Sequence, residues 1–131
     1  MKILKYSINL KYTTKEDINM DKNFIKNIDF AKTLNLENLV TYQEGQVISR
    51  TLSQNKHLSL TLFSFDKGEE ISSHASGGDA FVNILDGEAE ITIGEEKFAV
   101  KKGECIVMPS GIPHALHATE RFKMMLVVVF G

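Results

Sequence analysis

From Leu39 to Phe130 the chain is a succession of short runs in which apolar residues recur at every second position, separated by glycine-containing turns. Leu58, Leu60 and Leu62 alternate with Ser59, Thr61 and Phe63; Ala89, Ile91 and Ile93 alternate with Glu88, Glu90 and Thr92. Side chains of a strand point to opposite faces in turn, so a period of two gives one buried face and one wet face. Val47–Leu52, Ala80–Leu85, Lys97–Val100, Cys105–Met108, His114–Ala118 and Phe122–Phe130 read as further strands. Asp66-Lys67-Gly68 and Gly94-Glu95-Glu96 read as turns, and Asp86-Gly87 as a hairpin. Val127–Phe130 is apolar at every position, as in a strand covered on both faces. Many short strands with regular turns specify a sandwich or a barrel.

The 131 residues suit one domain with one core. A formal net charge of −2 provides no basic field, and no helix-turn-helix pattern occurs, so no nucleic-acid partner is expected. No apolar run approaches the ~20 residues of a spanning helix, so no membrane role is expected either. The N-terminus lacks the apolar block of a signal peptide, and the single Cys105 excludes an internal disulfide. A cytoplasmic setting is therefore the expectation. Cys105, beside Ile106-Val107-Met108, reads as a small core residue.

Residues 1–38 read as an extension packed on the barrel or on a dimer partner, and residues 39–131 as the barrel itself. Leu4, Tyr6, Ile8, Leu10 and Tyr12 alternate with Lys5, Ser7, Asn9 and Lys11, a strand with one apolar face. That face must be buried on the same barrel or on a second subunit, and a homodimer is expected. Residues 13–23 are a polar connection. Asp21 is placed to cap a short helix carrying Phe24, Ile28 and Ala31, and Leu34–Leu39 suits another helical turn.

Two blocks stand out: GEEISSHASGGDAFVNILDG from Gly68 to Gly87, and GECIVMPSGIPHALHA from Gly103 to Ala118. Together they resemble the paired motifs of the cupin superfamily, G-x5-H-x-H-x3,4-E-x6-G and G-x5-P-x-G-x2-H-x3-N. Gly68, His74, Gly87, Gly103, Pro109, Gly111 and His114 match; Ser76, Ala80 and Ala118 stand where the family has His, Glu and Asn. The resemblance implies an all-β fold, a cupin-type double-stranded β-helix (jelly-roll) barrel. It also implies a metal site commonly built from three His and one Glu, of which this chain retains His74 and His114.

Transferred onto the resemblance, the Glu position faces the barrel interior, so Ala80 and Val82 face in, and His114, Leu116 and Ala118 face in from the later strand. His117 has the wrong parity to join His114. The implied ligand pocket is His74, Ser76, Ala80, Val82, His114, Leu116 and Ala118: apolar walls with two imidazoles at one end, suited to a small, partly apolar molecule. His74 and His114 have two readings. They ligate a divalent transition metal, Zn, Ni, Fe or Cu by ligand type, or they are pocket histidines bonded to each other, to water or to a ligand. Asp79, Ser76 or His57 joins them only if the backbone departs from simple alternation. Met124-Met125 reads as core, Glu69-Glu70 and Glu95-Glu96 as solvated turn charge, and Ser76-Gly77-Gly78 as a turn or a gate beside His74. Two functions follow: a cupin that binds a small molecule, or a metal-dependent enzyme of dioxygenase or isomerase type using His74 and His114. Fold alone does not decide between them.

Overall fold

The computed structural model of the chain describes residues 23–131. Its strands are β1 (Val47–Gln54), β2 (Leu58–Phe65), β3 (Glu70–His74), β4 (Asp79–Ile93), β5 (Glu96–Lys101), β6 (Cys105–Met108), β7 (His114–His117) and β8 (Phe122–Val129). The described helical structure is one 3₁₀ turn, Leu36–Leu39. All strand pairs are antiparallel, and the spatial order is β1-β2-β8-β4-β7-β3, with β5 and β6 also paired to β4. The fold is therefore all-β, a curled antiparallel sheet.

Strand β4 joins the two halves. Its first part pairs with β8 and β6, and its second part with β7 and β5. The expected hairpin at Asp86-Gly87 is not formed. The chain runs straight on, with an irregularity in the β8 register between Ile84 and Asp86 and with Gly87 at φ +73°. A left-handed glycine serves a bulge as readily as a turn, and here it lets one strand bend from one half to the other.

Alternation along β4 buries Ala80, Val82, Ile84, Ala89 and Ile91 in the interior. They pack with Phe65, Met108, Leu116, Ala118, Phe122 and Met124 in one cluster. Phe65 and Phe122 stack at its centre, ring centroids 4.4 Å apart and 12° from parallel. A second cluster lies on the opposite face of the β1-β2-β8 sheet. There Leu52 and Leu62 are covered by Val40, with Ile28, Leu36 and Leu39 packed against them.

Two other expectations are corrected. Phe24, Ile28 and Ala31 do not lie on a helix: Asn27 and Ala31 have φ of +61° and +55°, and the backbone bonds to β1 instead, Lys26 N–H donating to the Leu52 carbonyl at 2.7 Å. Cys105 is exposed, not core, because it shares the outward parity of Val107, while Ile106 and Met108 turn inward. The expected strand over residues 4–12 and the cap at Asp21 lie outside the described residues. No described helix is long and apolar enough to cross a membrane.

Candidate functional site

His74 ends β3 and His114 begins β7, and the register pairs them directly. On its other side His114 pairs with Ile93 of β4. Strand β3 was not legible as a strand, since Ile71 is the only large apolar residue of Glu70–His74 and the strand is mostly exposed. Pairing with β7 is what brings His74 to His114.

The rings meet edge to face, centroids 4.4 Å apart and 70° between planes, with the two Nε2 atoms 3.2 Å apart. His114 is 3% exposed, whereas His74 is exposed and stands at the rim. The expectation of two enclosed imidazoles is thus corrected: one is enclosed and the other covers it from the solvent side. Ser72 orients the pair. Its carbonyl lies 3.0 Å from His74 Nδ1 and can only accept, so that nitrogen donates. In a neutral His74 ring Nε2 is then an acceptor, His114 Nε2–H is its donor, and His114 Nδ1 keeps a bare lone pair. Nδ1 of His114 is buried and has no hydrogen-bond partner.

Burial pushes the His114 pKa down, and the neighbouring His74 pushes it further; the Ile112 backbone, outside hydrogen-bonding geometry, pulls weakly the other way. His114 is therefore held neutral at neutral pH. The unfolded chain binds its proton at the ordinary value near ~6.5, so below that pH the unfolded state binds more protons than the folded one. Stability is expected to be full above that pH, and to fall by a few degrees of Tm as pH drops through it toward the folded value. Melting curves between neutral and mildly acidic pH check this. His114→Gln, which cannot titrate, should show a smaller loss over the same range.

The other expected pocket residues separate into two groups. Ala80, Val82, Leu116 and Ala118 are all buried in the interior cluster. Ser76 is not turned to the imidazoles: its hydroxyl donates to the Gly78 carbonyl at 2.6 Å within its own loop. Asp79 accepts from the Ser110 backbone N–H at 2.8 Å, and His57 is exposed at the start of β2. His117 sits on the outer side, 3.5 Å from Glu70. As a metal centre, the donor set falls short. Two imidazoles converge, but no group of three His, Cys, Asp or Glu exists among the described residues, whereas a catalytic zinc centre takes three protein ligands.

Residues 61–130, more than half the chain, match the profile of the cupin domain. The chain is a cupin. Among solved structures it is similar to a conserved protein of unknown function from Streptococcus pyogenes, at 53% identity and a TM-score of 0.83, covering 84% of this cupin and 96% of that chain. A cupin superfamily protein from Desulfitobacterium hafniense is 33% identical with a TM-score of 0.78, over 82% of this cupin and 98% of that chain. A Cupin 2 conserved barrel domain protein from Leptotrichia buccalis is 45% identical with a TM-score of 0.72, over 73% of this cupin and 47% of that chain. An uncharacterized protein from Streptomyces coelicolor is 28% identical over 75 residues, 57% of this cupin and 71% of that protein.

Proposed function

We propose that this cupin binds a small, partly apolar molecule, with its polar end at His74 and His114 and its apolar part against Ala80, Val82, Leu116 and Ala118. The observation that carries this reading is the buried, unpartnered Nδ1 of His114 beside apolar neighbours. A buried polar atom without a partner is costly, and a ligand donor that reaches it recovers that cost. The ligand class is an aromatic or short aliphatic compound bearing a hydroxyl group, which can donate to that nitrogen. The alanines at positions 80 and 118 supply no acid or base, which favours holding a molecule over transforming it.

A ligand that binds only the folded state raises Tm by mass action. Phenol, benzyl alcohol and hexanol are the probes. At least one should raise Tm in a saturable way, and His74→Ala should remove the rise while the unliganded protein keeps its fold. A rise that survives His74→Ala removes the imidazole pair from the site. The second reading, a metal-dependent enzyme of dioxygenase or isomerase type, is favoured by the convergence of the two Nε2 atoms. Stoichiometric metal in freshly purified, untagged protein, lost in His74→Ala, would support it over the binder.

A further inference from the structure

On the sheet face that carries Leu62, away from the imidazole pair, β1 is left partly uncovered. Arg50 pairs with Leu62 and Ile48 with Ser64, so Arg50 and Ile48 share that outer face. They form the floor of an open groove of about 680 Å³, within the ~300–1,000 Å³ range of small-molecule sites. One wall is the segment Asn38–Thr41, and the other is the turn at Asn27. Both walls are fastened to the sheet. Ser64 Oγ donates to the Thr41 carbonyl at 2.8 Å. Asn27 Nδ2 donates to the Thr51 carbonyl at 2.8 Å, and Lys26 N–H bonds to the Leu52 carbonyl beside it. The groove is thus formed before any ligand arrives, and binding has little to order.

The charge of the groove is one-sided. Its lining holds the Arg50 guanidinium and no carboxylate. Arg50 is half-buried, and among the described residues it makes no ion pair. Its Nη1 donates to the Asn27 carbonyl at 3.2 Å, which uses one N–H of a group that has five. The acidic residues that flank the two walls in sequence are engaged elsewhere: Glu37 pairs with Lys102, and Asp29 with Lys32.

We propose that this groove is a second ligand site, independent of the imidazole pair, for a small aliphatic monocarboxylate. Arg50 takes the carboxylate, and the chain lies along Leu39, Val40 and Ile48, with the Asn38 amide in the same lining as a further donor. A planar guanidinium holds a carboxylate by two parallel hydrogen bonds. One cation beside three aliphatic side chains suits a single negative charge on a short chain. A phosphate monoester would bring a second negative charge, and the lining has no second cation to meet it. The two sites therefore differ in preference: a neutral hydroxyl compound at His114, a carboxylate at Arg50.

Titration of the full chain with hexanoate tests the proposal. The chain has two arginines, so the side-chain Nε–H NMR signal of Arg121 is an internal control for that of Arg50. The Arg50 signal should shift and saturate while that of Arg121 stays in place, and hexanol should move neither. By calorimetry, Arg50→Met should weaken hexanoate binding about 30-fold, as expected for loss of a charge-assisted pair. Arg50→Lys should weaken it about tenfold, since an ammonium keeps the charge without the fork. Binding should weaken as salt is raised, and His74→Ala should leave it unchanged. If Arg50→Met does not fold, Arg50→Lys must still show its loss. No saturable shift at Arg50 overturns the proposal, and so does an affinity that the Arg50 variants leave unaltered. Hexanoate binding that is lost in His74→Ala would place the carboxylate at the imidazole pair and equally overturn it.

Discussion

Replacing Phe122 by Ala is expected to cost about 3–5 kcal/mol, a large part of the 5–15 kcal/mol that keeps a domain folded. Phe122 is fully buried, stacks on Phe65, and belongs to the cluster that also holds Ala80, Leu116 and Ala118. Removing the ring leaves a void between the two halves of the barrel, and Phe65 loses its stacking partner. Urea unfolding should show a lower midpoint with an unchanged slope, as expected when stability changes and the exposed surface does not. A midpoint near that of the wild type would mean that the interior is not packed around this pair. The same void lies in the cluster that forms the apolar wall of the proposed site, so ligand-induced stabilisation should weaken as well.

Gly87→Ala is expected to be as damaging, for a backbone reason. A Cβ at this position would stand 2.0 Å from the carbonyl oxygen of Arg121, the residue just before β8, and the residue has φ +73°. The left-handed conformation alone costs an L residue roughly 1–2 kcal/mol. The clash is with backbone and is relieved only by moving β8 off β4, so the total should exceed about 3 kcal/mol. Gly103 is the control: its φ is +86°, but no atom lies within 4 Å of an added Cβ. Gly103→Ala should therefore cost only about 1–2 kcal/mol. Equal losses at the two positions would show that conformation alone matters at Gly87.

Alternation made most of the barrel legible. β1, β2, β6 and β8 fall where the period-two runs lie, and the inward set Ala80, Val82 and Ile84 is buried as parity requires. The pairing of His74 with His114 was legible only through the two motif blocks, since no local pattern links residues 40 positions apart. Strand β3 was missed because an exposed edge strand needs no apolar alternation. Asp86-Gly87 was misread because a hairpin and a bulge require the same positive φ, and only the partner strand distinguishes them. Cys105 was misread because residue type was put before parity. Val129 was read as covered on both faces, but within one chain it is exposed. The orienting carbonyl of Ser72 had no signal in the sequence, because any residue provides a carbonyl.

The imidazole rings report most directly on whether His74 and His114 form one ligand site. Nitrogen NMR of the four histidines should be followed at neutral pH while phenol, benzyl alcohol or hexanol is added. The ring signals of His74 and His114 should move together and saturate, those of His57 and His117 should stay in place, and His74→Ala should abolish the response at His114. Saturable binding that leaves the His74 and His114 rings unmoved would contradict the account.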